Sequence, residues 1–201
     1  MRRELKKLRT RTALVDAALE LFLEKGYEAT TIDEIVAAVQ MSQRTFFRYF
    51  ATKEDVVTGF LAEYDEVMKE ALAARPPGER PLTALYESLR AVLAAIAESE
   101  PEAAARFRRV RQVIEANPPL VAAQMARHAA AEGELVTLVA GRLGTDPADD
   151  VRPRLIVAFH TAAARVAFED CARHGVWEPA QVAARVEAVM KRARDELPRW
   201  I

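Results

Sequence analysis

The chain has 201 residues, 51% of them hydrophobic and 29% charged, which suits one or two domains with a sizeable core and excludes a disordered polymer. A single cysteine, Cys171, excludes an intrachain disulfide framework. The net charge of -1 hides an asymmetry: residues 1–11 hold six lysines or arginines against one glutamate, a net of +5, leaving -6 on the other 190 residues. A basic arm on a mildly acidic body points to an anionic partner at that end; a solvated terminus is the plainer alternative. No apolar run of about 18 residues offers a membrane span, and no apolar stretch follows the basic start as a signal peptide requires, so a cytoplasmic protein is expected.

Glycine is scarce and no stretch sustains strand alternation, so the expected fold is all-α with about nine helices. The first helix runs from about 5 to 25. Val15, Ala18, Leu19 and Phe22 recur at i, i+3, i+4 and i+7, and Gly26 stands where a left-handed C-cap is needed. The second begins at Thr31, because Thr31-x-x-Glu34 is a capping box; Ile35, Val36 and Val39 are its core face. The third starts at Ser42, another N-cap residue, and runs to about Phe50. The fourth opens with a second capping box, Thr52-x-x-Asp55. All ten prolines lie at or beyond Pro76 and mark the ends of later helices, near 81–99, 101–115, 119–142, 149–174 and 178–196.

The second and third helices are each about two turns long and are joined by a turn of three or four residues, Val39-Gln40-Met41-Ser42. Two such helices form a helix-turn-helix unit whose second member can enter a major groove. On a wheel of that second member, Phe46 and Phe50 point one way, and Arg44, Thr45 and Arg48 point the other. The phenylalanines anchor a helix too short to stand alone. The polar face is left to read bases: arginine bonds guanine O6/N7, glutamine pairs with adenine N6/N7, and a threonine methyl packs on thymine. Backbone N–H groups at the helix starts suit phosphate oxygens.

These residues carry a resemblance. Ala17, Ala18, Leu21, Phe22, Gly26-Tyr27, Thr30-Thr31, Ile35, Ser42, Thr45-Phe46-Phe47-x-Tyr49-Phe50 and Lys53-Glu54 make residues 9–60 resemble the DNA-binding domain of the TetR (tetracycline-repressor-like) family of bacterial transcription regulators. The resemblance implies a dimer that binds operator DNA and usually represses transcription. It implies a helix-turn-helix domain over 1–54 and a ligand-binding and dimerisation domain over 55–201. Carried over residue by residue, Thr31 and Lys53 would meet phosphate, and Gln43, Arg44 and Thr45 would read bases. Ser42, Phe47, Arg48 and Tyr49 complete the expected DNA-binding set. Two positions depart from the family pattern. Phe47 lacks the hydroxyl of the usual tyrosine, and Gln40 stands where the family usually has glycine, at a cost of about 1 kcal/mol if the backbone there needs a positive φ.

In the family the last two long helices pair with those of a second subunit. Leu155, Ile156, Phe159, Ala163, Val166 and Ala167 form one stripe and Val182, Val186, Val189 and Met190 another, so a homodimer on an approximately palindromic operator is expected. Feeding an intrachain core is the alternative for both stripes. Arg111, His128, His160 and Arg165 are polar groups within apolar helical sequence, and with Phe107, Met125 and Phe159 they could line a pocket for a small-molecule effector, lipophilic or acyl-CoA-like. Residue by residue, ordinary core or surface is the stronger reading of each. The fourth helix, joining both domains, is the expected lever between effector and DNA.

Catalytic signatures are missing: there is no G-x-S-x-G, H-E-x-x-H, P-loop or G-x-G-x-x-G. Cys171 and His174 share a helical face but lack an orienting third group, and three histidines with one cysteine show no metal spacing. The expectation is therefore a regulator with no catalytic residue, metal or cofactor. A helical protein-interaction module that does not bind DNA is the competing reading.

Overall fold

The computed structural model describes residues 2–200 and, of their side chains, all but those of 2–6, 130 and 197–200; the first half of the basic arm therefore lies outside the described side chains. Nine helices and no strand are found among the described residues: α1 (Arg2–Lys25), α2 (Ile32–Ala38), α3 (Gln43–Phe47), α4 (Glu54–Ala73), α5 (Pro81–Ala97), α6 (Pro101–Glu115), α7 (Pro118–Leu143), α8 (Arg152–Arg173) and α9 (Pro179–Trp200). The expected helices are all present, with ends displaced by a few residues. The chain divides into two compact units, one of residues 1–63 and 109–125, the other of 64–108 and 126–201. None of the described helices is long and apolar enough to cross a membrane.

In the first unit the apolar stripe of α1 does what its spacing requires. Leu14, Val15, Ala18, Leu19 and Phe22 are buried, as are Ile35 and Val36 of α2, Phe46 of α3 and Val56, Val57 and Phe60 of α4. Burying a side chain of this size contributes about 1.5–3 kcal/mol. Gly26 ends α1 at φ 92, a conformation that L side chains rarely adopt. Phe22 meets the Tyr27 ring edge-on at 5.1 Å. Arg11 ties α1 to α4. Its Nη2 donates to the Gly59 carbonyl at 3.2 Å, its Nη1 pairs with Glu63, and its guanidinium lies 5.4 Å from the Phe50 ring centroid. Residues 109–125 belong here through buried Val110, Val113, Ile114 and Leu120 and through Arg109, which pairs with Asp16 at 3.2 Å.

The second unit is built from long helices. Leu72, Ala84, Leu85, Val139 and Val157 form its central cluster, covered by Met68, Leu135, Leu138, Leu143 and Ile156. α5, α8 and α9 pack on one another, with Val182, Val186 and Met190 of α9 buried. Asp170 of α8 accepts from Arg185 of α9 at 2.5 Å, and this guanidinium holds the carboxyl below its usual range. The C-terminal end of α4 receives a cation from α7: Arg142 Nη1 donates to the carbonyls of Leu72 (3.4 Å) and Arg75 (3.2 Å), and its Nη2 donates to that of Pro76. Helix ends leave such carbonyls without partners, and a basic side chain answers them.

Candidate nucleic-acid interface

Three side-chain caps shape the helix-turn-helix. Thr31 caps α2: its hydroxyl accepts from Glu34 N–H at 3.3 Å, and the Glu34 carboxylate accepts from Thr31 N–H at 2.8 Å and from the Thr31 hydroxyl at 2.7 Å. The Lys25 ammonium, then the Thr31 amide and hydroxyl, hold the Glu34 carboxyl down to about 2. Ser42 caps α3 by accepting from Thr45 N–H at 3.2 Å. The Thr52–Asp55 box is closed by Thr52 N–H to the Asp55 carboxylate at 2.9 Å and Asp55 N–H to the Thr52 hydroxyl at 3.2 Å. Between α2 and α3 the chain turns through Gln40 at φ 53. It is the one non-glycine residue with positive φ among those described, and it stands where the resemblance implies glycine.

α3 is shorter than the expected 42–50. It ends at Phe47, and the chain tightens as Tyr49 N–H reaches the Phe46 carbonyl at 2.8 Å, a three-residue closure. Phe50 N–H still bonds the Phe46 carbonyl at 3.0 Å, so both phenylalanines stay on the inner side. Phe46 is fully buried, Phe50 nearly so, and their rings lie 5.5 Å apart.

The opposite face is open. Ser42, Gln43, Arg44, Phe47 and Arg48 are exposed, and Thr45 and Tyr49 are half-buried. Phe47 is 52% exposed despite its apolar ring, although one edge meets Phe46 at 5.6 Å. Arg48 Nη2 donates to the Tyr49 hydroxyl at 3.3 Å and its guanidinium lies over that ring. Neither Arg44 nor Arg48 pairs with a carboxylate among the described residues.

Two expected contact residues have work inside the protein. The Thr31 hydroxyl serves the cap. Lys53 Nζ donates to the carbonyls of Tyr27 (2.6 Å) and Thr30 (2.9 Å) and sits 4.2 Å from the Tyr27 ring centroid. It closes the loop between α1 and α2, with one N–H left over. Burial, then Glu54, Glu28 and Asp55, pushes the Tyr27 hydroxyl up to about 12. A residue that the sequence pattern did not single out also joins the site: Asp33 of α2 accepts from the Gln43 amide at 2.6 Å. Its only sequence signal was an acidic side chain in the first turn of α2.

The residues expected around an effector belong to three helices, α6 (Phe107, Arg111), α7 (Met125, His128) and α8 (Phe159, His160, Arg165). Arg111 is buried in the first unit and pairs with Glu115 at 2.5 Å. Met125, also in the first unit, is exposed. In the second unit Phe107 is buried, with its ring edge-on to Tyr64 at 5.9 Å. Phe159 is half-buried, and Arg165 is exposed and paired with Glu169. His160 is buried, its Nδ1 finds no hydrogen-bond partner among the described residues, and desolvation lowers it to about 4. His128 lines a cavity of about 50 Å³ with Asp65, Met68, Lys69, Glu132, Leu135 and Thr161. Asp65 there pairs with Arg127 at 2.8 Å and lies 4.0 Å from His128 Nδ1.

Two short capped helices joined by a tight turn, the second buried by phenylalanines on one side and bearing on the other two exposed arginines that meet no carboxylate among the described residues, define a helix-turn-helix DNA-binding protein. Comparison with known proteins makes the assignment specific. Residues 14–58 match the model for bacterial regulatory proteins of the tetR family, and residues 83–198 match that for the MftR C-terminal domain. The chain belongs to the TetR family and is a DNA-binding transcriptional regulator, not an enzyme. It is 43% identical over 166 residues to the transcriptional regulator TcmR of Streptomyces glaucescens, covering 82% of this chain and 74% of that one. It is 32% identical over 100 residues to the transcriptional repressor KstR2 of Rhodococcus jostii, covering 46% and 49%. The fold is similar to that of NalD, the secondary repressor of the MexAB-OprM multidrug efflux pump in Pseudomonas aeruginosa. The TM-score is 0.55 at 22% identity, over 94% of this chain and 96% of that one.

Proposed function

We propose that residues 1–54 read an approximately palindromic operator, and that 55–201 pair two copies and receive a small-molecule effector whose binding releases a repressor from DNA. The observation that carries this is the open face of α3: Gln43, Arg44 and Thr45 stand at a helix start on a stub anchored by Phe46 and Phe50, and neither Arg44 nor Arg48 pairs with a carboxylate among the described residues. Arg44 and Gln43 are the base readers, with Thr45 and the exposed Phe47 ring for thymine methyls. Ser42, Arg48, Tyr49, Thr31 and the spare N–H of Lys53 are the backbone contacts. Pairing is supported by α8, where Leu155 is 60% and Val166 43% exposed, a face whose apolar side chains need cover.

For the effector, Met68 and Leu135 supply an apolar wall suited to a lipophilic molecule, with Lys69 as a cation and the His128 imidazole as a hydrogen-bonding group. Asp65 and Glu132 on the same wall favour a hydrogen-bond-donating head over an acyl-CoA-like one. A space of about 50 Å³ holds a water or two, so the effector acts by widening it. α4 contributes residues to both units and is the lever. A coupling of about 1–3 kcal/mol changes DNA affinity roughly 5- to 150-fold.

Selection of bound duplexes from a random library tests the reading. A palindromic consensus, bound with an affinity that falls steeply with salt, is the expected result. A consensus without palindromic symmetry, or no enriched duplex, would overturn the reading of a paired repressor on a palindromic operator.

A further inference from the structure

Gln43 is not free to turn. Its side-chain nitrogen donates to Asp33 Oδ1 at 2.6 Å, across the turn from α3 to the first turn of α2. An ionised carboxylate accepts hydrogen bonds and donates none. The amide end facing Asp33 must therefore be the nitrogen, which settles an orientation that a glutamine amide alone leaves open. One N–H is engaged by Asp33. The carbonyl oxygen and the second N–H remain for an outside partner.

We infer that Asp33 sets the base specificity of Gln43, resting on the reading that Gln43 meets a base edge. With its nitrogen held, the amide offers an acceptor and one donor in a fixed order. Adenine answers both, through its N6 amino group and N7; cytosine answers the acceptor alone. Guanine O6 and thymine O4 would set oxygen against oxygen. Asp33 thus acts through Gln43 as a positioning residue, and its own oxygens need not touch DNA. The device is independent of the Ser42 cap, which holds the helix rather than the amide.

The test is duplex selection with the full-length chain in three forms: unaltered, Asp33→Asn and Gln43→Ala. An asparagine side chain in place of the carboxylate can donate as well as accept, so the Gln43 amide can reverse. Asp33 is exposed, and equal thermal unfolding of the forms checks that the fold is kept. The unaltered chain should select adenine at one position per half-site. Asp33→Asn should admit guanine and thymine there, with discrimination falling roughly tenfold and other positions unchanged. An unchanged base distribution overturns the inference. So does uniform tightening on all sequences with a steeper salt slope, which is the mark of a removed charge alone. If Gln43→Ala alters the consensus and Asp33→Asn does not, the coupling fails while the base-reading role survives. If Gln43→Ala also changes nothing, both fall together.

Discussion

The two units solve the problem of holding a helix in opposite ways. In the first, α2 and α3 are so short that their ends outweigh their middles. Side-chain caps at Thr31 and Ser42 and two phenylalanines, Phe46 and Phe50, hold them in place, and the outer face stays polar and open. In the second, helices of seventeen residues or more are held along their length by aliphatic contacts such as Leu72, Leu85, Val139 and Val157. There the polar groups are the exceptions, as at His160. The contrast places specificity of shape in local hydrogen bonds at one site and in distributed packing at the other.

Removing an anchor should break the first arrangement most severely. Phe46→Ala deletes a fully buried ring from a five-residue helix, and urea unfolding should record a loss of about 3–5 kcal/mol, together with loss of operator binding. A surviving operator complex would show that α3 does not depend on its phenylalanine.

The second unit carries the next largest effect. His160 titrates near 4 in the folded chain, below the ordinary value of 6.5, because burial disfavours its charged form. Between those values the unfolded chain takes up the proton first. Stability is therefore intact above pH 6.5, falls as pH drops toward about 4, and levels off below. The contribution is about 3 kcal/mol. His160→Leu should flatten that part of the profile when urea midpoints are compared across pH; an unchanged slope would assign the acid sensitivity to other groups.

Arg44→Ala touches only the open face. It should leave the unfolding midpoint in place, lower operator affinity by about 1–3 kcal/mol and relax base preference at one position per half-site. A duplex selection that returns the same consensus would remove Arg44 from the readers. The smallest change sharpens the turn between the two short helices. Gln40→Gly relieves a side chain at φ 53 and adds backbone freedom to the unfolded chain, two effects of opposite sign. A net gain of up to about 1 kcal/mol is expected, read as a rise in Tm.

The same contrast explains what was legible in the sequence. Both capping boxes, the Ser42 cap and the inward turn of Phe46 and Phe50 involve residues three or four apart, so spacing alone revealed them. The exposed arginines followed as the other side of that wheel. Asp33 escaped notice because its partner is ten residues away across a turn, and the carbonyls that Lys53 reaches lie more than twenty residues upstream. For the expected effector residues, helical periodicity tells which side chains share a face without saying what meets them: Arg111 is buried and paired with Glu115, and Met125 is exposed.

The Arg142 guanidinium has a bearing on evolution and on protein engineering. By gathering the carbonyls of Leu72, Arg75 and Pro76 it fastens the outgoing chain before the Pro77-Gly78 bend, whose residues are exposed. The bend beyond that clasp is spanned by local bonds, the Glu79 N–H to the Pro76 carbonyl at 3.2 Å and the Arg75–Glu79 ion pair, which an insertion would give up. Tags, protease sites or inserted reporters placed between Pro77 and Gly78 should be accepted there with the regulator still folding around them.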